Sequence, residues 1–205
     1  MPKTMKQKSK VREYTETLII ALVIALFVRS FVVQAFKIPS GSMEPTLLVG
    51  DHILVDKFIY GIRIPVIGTK ILPFATPQRG DVIVFIFPKD RSKDFIKRVI
   101  GLPGEKVEIR ERKIYINDRL IADPWGFFQS WEMPTSDNYG PTEVPPGHLF
   151  VMGDNRENSE DSRYWGFVPL DDVLGKAFIM YWSWDWQASS LVSKVRWGRI
   201  GRVIR

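Results

Sequence analysis

Cysteine is absent from this 205-residue sequence, and histidine occurs only as His52 and His148. Without cysteine there is no disulfide and no thiol nucleophile. The absence suits either side of a membrane, so it fixes no redox compartment. Neither histidine stands in an H-E-x-x-H spacing, which excludes cysteine or multi-histidine zinc sites. No metal and no organic cofactor is expected. A Ser-His-Asp triad would have to draw on one of these two histidines. Acidic residues are outnumbered, with 23 Asp and Glu against 29 Lys and Arg, a formal net charge of +6 and a pI near 9.5. That balance suits nucleic acid or an anionic membrane surface. No nucleic-acid motif occurs, and the basic residues gather at both ends beside apolar or aromatic stretches. The membrane is therefore the expected partner, and nucleic acid is not. Internal repeats and low-complexity tracts are also missing.

Apolar residues make up 45% of the chain, ample for a core. Residues 1–16 open with Lys3, Lys6, Lys8, Lys10 and Arg12. Residues 17–36 are then largely apolar, about the 20 residues that a membrane-spanning helix needs. Arg29 interrupts the run near its far end, where a long side chain can reach the interface. Basic residues ahead of a span stay in the cytoplasm. Residues 1–16 are expected there, with residues 37–205 on the extracytoplasmic side of the plasma membrane. The same pattern, ending in Val33-Gln34-Ala35, also fits a cleavable secretory signal. On either reading the remainder is exported.

The exported part reads as strands: residues 50–58, 81–87, 94–100, 107–109, 113–116, 119–121, 149–152 and 177–184. These are β-branched or alternating, and turn residues separate them. Asn117-Asp118 is a hairpin turn signal. Residues 60–80 are a loop rich in Pro and Gly, and periodicity disappears over 122–142. The expected fold class is mostly β, an antiparallel architecture with coiled extensions, preceded by one N-terminal transmembrane helix.

Three stretches carry chemical signals. Pro39-Ser40-Gly41-Ser42-Met43-Glu44-Pro45 sets two serines around a glycine between prolines, a tight turn that can present a hydroxyl. It equally suits a linker leaving a membrane helix. Lys97 lies in the strand pattern of residues 95–100, flanked by Phe95 and Val99 on its own face. Burial lowers a lysine pKa towards neutrality and makes the amine a base for serine. A cation on an edge strand that deters aggregation is the alternative. Arg98 stays protonated and cannot be that base. Residues 153–169 form a polar loop in which Asp161 and Arg163 are placed to pair, and Ser159 can reach a neutral amine.

Together these blocks resemble bacterial type I signal peptidases. The resemblance rests on Ser40-Gly41-Ser42-Met43-Glu44-Pro45-Thr46-Leu47, Gly80-Asp81-Val82, Ile96-Lys97-Arg98 through Gly104, and Gly153 through Pro169. It implies a membrane-anchored serine endopeptidase that cuts signal peptides from exported preproteins after small residues of Ala-x-Ala type. It implies Ser42 as nucleophile and Lys97 as general base, with Ser40 beside the Ser42 amide in the oxyanion hole. Ser159 then orients the lysine, Asp161 and Arg163 form a supporting ion pair, and Arg98 is structural. The implied fold is an antiparallel β catalytic core carrying a smaller β insertion, mapped to about residues 104–145. Some members have two membrane spans, whereas this sequence offers one.

Two rivals stand beside this reading. A self-cleaving SOS-repressor-type protein uses a similar Ser-Lys pair, but it carries a DNA-binding domain or acidic arm in place of an export-type helix. A membrane-tethered β-domain that binds a partner without catalysis accounts for the anchor, but not for both catalytic blocks. Residues 181–186, with Tyr181, Trp182, Trp184 and Trp186, add an expected membrane-facing row. Alternation would set Tyr181 and Ser183 opposite the three tryptophans. Oligomeric state is not legible in the sequence.

Overall fold

The computed structural model describes residues 10–63, 70–71, 74–129 and 138–205. Lys3, Lys6, Lys8 and the Arg29 side chain lie outside the described residues, as do parts of the 60–80 and 122–142 segments. Helix α1 spans Lys10–Phe31. Glu13 in its first turn suits the helix dipole, and Arg12 pairs with Glu16 one turn on at 2.9 Å. The helix expected over residues 17–36 thus starts and stops earlier. Val33–Lys37 is instead strand β1, paired antiparallel with β2 (Asp51–Asp56) from Val33 opposite Asp56 to Lys37 opposite His52. A β-branched start and a partner strand outweigh the local apolar pattern. Among the described residues, no helix is long and apolar enough to cross a membrane.

Beyond β2 come the short strands β3 (Ile62–Arg63) and β4 (Lys70–Ile71), which pair with each other. Then follow β5 (Val82–Ile86), β6 (Asp94–Gly101), β7 (Lys106–Arg110), β8 (Lys113–Ile116) and β9 (Arg119–Leu120). Strands β10 (Tyr139–Glu143), β11 (His148–Met152), β12 (Val168–Pro169) and β13 (Val173–Ser183) complete the set. The main sheet has the order β1-β2-β13-β5-β6-β11-β12, and a second sheet has the order β10-β7-β8-β9. Every pairing between these named strands is antiparallel. The β class expected from the sequence is what the chain adopts.

Strand β5 explains why its sequence is apolar throughout. Val82 and Val84 enter one core with Ile38, Met43, Leu47, Ile53 and Met180. Ile83 and Phe85 enter another on the opposite face with Val99, Leu149 and Val151. A strand buried on both faces has no polar side to show. A third core of Ile100, Val107, Ile114, Val144 and Phe150 joins the smaller sheet to the ends of β6 and β11. That sheet occupies the stretch mapped as an insertion. Its Asn117-Asp118 turn has φ of 50° and 65°, the left-handed pair of a tight hairpin. Residues 139–142, expected as loop, belong to β10, whose irregular pairing with β7 hides the alternation.

The basic tail folds back along β13. Met180 N–H donates to Arg202 O at 2.9 Å and Ile204 N–H to Phe178 O at 3.0 Å. The expected alternation over 181–186 fails, because the register of β13 shifts between Met180 and Trp182. Ser183 is fully buried while Tyr181 is exposed, and Trp182 and Trp184 are half-buried. Among the described tryptophans, Trp186 and Trp197 are the exposed ones, at 63% and 64%.

Candidate active site

Ser42 is the middle residue of a single 3-10 turn, Gly41–Met43, between β1 and β2. Apolar anchors hold the turn on both sides. Ile38 before it and Met43 and Leu47 after it are buried in one core. Ile38 N–H donates to Asp51 O at 2.8 Å, and Leu47 N–H to Met43 O at 2.8 Å. The turn therefore cannot drift, while Ser42 itself stays half-exposed.

Lys97 reaches this turn from β6. Its Nζ lies 2.9 Å from Ser42 Oγ and 3.1 Å from the Ile96 carbonyl oxygen. The residue is only 4% exposed, and its amine lies 5.3 Å from the Phe95 ring centre. Burial lowers the Lys97 pKa from 10.5 to about 8, against the opposing pull of Asp161, Glu160 and Asp154. A neutral amine is thus accessible near physiological pH, within proton-transfer distance of a hydroxyl.

The loop after β11 braces both groups. Arg98, beside the lysine, is fully buried and grips Asp154 through Nε to Oδ1 at 2.7 Å and Nη2 to Oδ2 at 2.6 Å. Its Nη1 donates to Gly80 O at 2.6 Å, and Trp125 stacks 4.6 Å from the guanidinium. Asp154 Oδ2 also accepts from Thr46 Oγ1 at 2.6 Å, tying the loop to the Ser42 turn. Asp161 and Arg163 pair as expected, with Nε to Oδ1 at 2.8 Å and Nη2 to Oδ2 at 2.9 Å. Asp161 also caps the short helix α2 (Ser162–Trp165) and accepts from Gly153 N–H at 3.0 Å. A side chain at Gly153 would collide with Ser159 Oγ and Ser42 O, so only glycine fits there.

Two expected residues are less engaged. Ser40 precedes the turn with an exposed side chain that makes no capping bond. Ser159 is buried beside Gly153, but its Oγ has no hydrogen-bond partner among the described residues. The expected bond from Ser159 to Lys97 is thus not formed here. The histidines lie elsewhere: His52 faces the Tyr181 ring and His148 Nδ1 lies 2.9 Å from Pro146 O. Sequence reasoning missed Asp154 as the partner of Arg98, and it missed Asn155, whose backbone N–H donates to Ser42 O at 3.1 Å. Both sit in the polar loop already singled out. Nothing in their local sequence indicates contacts with residues 41–46 and 98.

The chain is similar in sequence to known proteins. The family described as signal peptidase, peptidase S26, matches residues 11–182. Signal peptidase I of Pseudomonas aeruginosa is 42% identical over 223 aligned positions, covering 92% of this chain and 78% of that protein. Signal peptidase I of Pseudomonas fluorescens is 41% identical, covering 84% and 72%. A solved signal peptidase I from Enterococcus faecalis V583 is 36% identical, covering 50% of this chain and 97% of that one at a TM-score of 0.44. On the extent of the sequence match, the chain belongs to the signal peptidase I family, peptidase S26.

Proposed function

We propose that this enzyme removes N-terminal signal peptides from exported preproteins through a Ser42–Lys97 dyad. The observation that carries the reading is the 2.9 Å contact between a half-exposed serine hydroxyl and a buried lysine amine. Neutral Lys97 takes the Ser42 proton as Oγ attacks the scissile carbonyl. The oxyanion is received by the Ser42 N–H and the Ser40 hydroxyl, each donor worth about 3–4 kcal/mol in a preorganised hole. The Lys97 ammonium then protonates the leaving amine, which departs and leaves an ester on Ser42. Lys97, neutral again, deprotonates the water that hydrolyses this ester. Ser159 Oγ, buried and without a partner among the described residues, is the hydroxyl available to orient the amine. The Asp161–Arg163 and Arg98–Asp154 pairs hold the loop around it.

The substrate joins as an extended strand. Support comes from β6, whose pairing with β11 begins at Arg98 and leaves residues 94–97 open on that side. Small residues at the first and third positions before the cut, of Ala-x-Ala type, follow from the family resemblance. A synthetic preprotein should be cut once, after such a site, as sequencing of the product's new N-terminus would reveal. Replacing the small residue just before the cut by leucine should abolish that product. Unchanged cleavage of the leucine substrate would refute the specificity.

The helical part of the expected 17–36 span, which ends with α1 at Phe31, acts as a single-pass anchor in the plasma membrane, with the N-terminus cytoplasmic and the catalytic domain outside. Support comes from Leu18, Ile19, Ile20, Leu22, Val23, Ile24 and Leu26, each more than half exposed. At 100° per residue they ring the helix once the exposed Ala21 and Ala25 are added, as a lipid-facing segment does. Trp186, Trp197 and the arginines of the tail rest on the lipid surface. A domain lacking residues 1–31, which keeps strand β1, should blue-shift its tryptophan emission on anionic vesicles at low salt. Emission identical with and without vesicles would sink the surface contact.

A further inference from the structure

Asn155 lies outside the proton-transfer chemistry, yet it is 1% exposed and grips the nucleophile turn twice. Its Nδ2 donates to Gly41 O at 3.1 Å, and its backbone N–H donates to Ser42 O at 3.1 Å. The Gly41 carbonyl and the Ser42 N–H belong to one peptide unit, which is planar and trans. In such a unit the C=O and N–H point in opposite directions, so a bond that fixes the oxygen also fixes the aim of the N–H. Gly41 O accepts a second bond, from Glu44 N–H at 3.1 Å, but that donor is part of the turn and moves with it. The bond from Asn155 ties the peptide plane to a different part of the fold.

Asn155 is itself held from behind. Phe127 N–H donates to Asp154 O at 2.7 Å and Arg156 N–H to Phe127 O at 2.9 Å, a parallel bridge that brackets Asn155. Asp154 is fixed by Arg98, and Arg156 by Asp123. A segment of the smaller β unit therefore stiffens the residue that touches the Ser42 turn.

We infer that Asn155 is a positioning residue of the oxyanion hole, aiming the Ser42 N–H through the Gly41–Ser42 peptide plane. This rests on the proposed role of Ser42 as a nucleophile whose amide receives the oxyanion. Removing a hole donor outright costs a protease about 100- to 1,000-fold in kcat. Loosening its aim should cost less, about 10- to 100-fold, because the donor remains.

The test compares Asn155→Ala and Asn155→Leu in the full-length chain, the second filling the volume that the first empties. Rates are taken per competent site, counted by titration with an acylating inhibitor. Both variants should lose kcat with KM nearly unchanged, since the hole acts in the transition state. The inhibition constant of a peptide boronic acid, whose tetrahedral adduct places a hydroxyl in the hole, should weaken by a similar factor. The acid limb of the pH profile should not move, because Lys97 keeps its surroundings. Unchanged kcat per site, or a fall in kcat with boronate affinity intact, would overturn the inference. Ser42→Ala, run alongside, separates the two levels: full activity there would remove the dyad itself and this inference with it.

Discussion

Replacing Ser42 or Lys97 by alanine is expected to lower kcat/KM for preprotein cleavage by about four orders of magnitude, with the fold intact. The two groups act as one unit, so the double variant should be little worse than either single. Losses that multiplied would contradict a shared proton transfer. Lys97→Arg should be as inactive as Lys97→Ala, because a guanidinium does not become neutral in the working pH range. Lys97→Met separates activity from stability. The folded-state pKa of Lys97 lies below its unfolded value of 10.5, at about 8. The charged amine is therefore disfavoured by folding, and the native protein carries that cost below about pH 8. The cost fades as pH rises from there through 10.5, above which both states are neutral. The difference corresponds to up to ~3 kcal/mol. Lys97→Met should thus raise the unfolding midpoint at pH 7 while abolishing cleavage.

The second large effect concerns Arg98 and Asp154, both fully buried. Asp154→Ala leaves a guanidinium without its counter-charge and deprives Thr46 of its acceptor. Breaking one side of a buried pair costs about 3–5 kcal/mol. For a chain of this size that amounts to a fall of about 10 °C in Tm. Replacing both partners, as Arg98→Met with Asp154→Leu, removes the stranded charge. The double variant should therefore be more stable than Asp154→Ala alone. Circular dichroism melts of the purified chain in detergent would decide. An Asp154→Ala midpoint within 2 °C of the parent would show that the pair contributes little.

These two effects differ in how visible they were beforehand. Ser42 and Lys97 stand in short blocks whose residue types already fit the chemistry: a serine fixed between prolines, and a lysine among strand hydrophobics. Asp161 and Arg163 could be paired because they are two residues apart. Arg98 could be marked as structural, but its partner lies 56 residues away and no periodicity reports such a contact. Asn155 and Gly41 are 114 residues apart and equally hidden. Residues 33–36 misled for another reason. An apolar, β-branched segment satisfies a helix or a strand locally, and only the partner β2 decides between them. At residues 181–186 a register shift in β13 broke the alternation on which the expected faces depended. What was legible was local chemistry and strand content; what was not was the long-range bonding that aims the chemistry.

The central claim is that a neutral Lys97 activates Ser42. Its most direct measurement is the rate at which a serine-reactive acylating inhibitor modifies the enzyme across pH, with the adduct located by mass spectrometry of the digested chain. The account predicts a single adduct on Ser42, formed faster as pH rises through about 8, and none in Lys97→Ala. An adduct on another residue, or an acid limb near pH 6.5 that disappears in His52→Gln or His148→Gln, would contradict it.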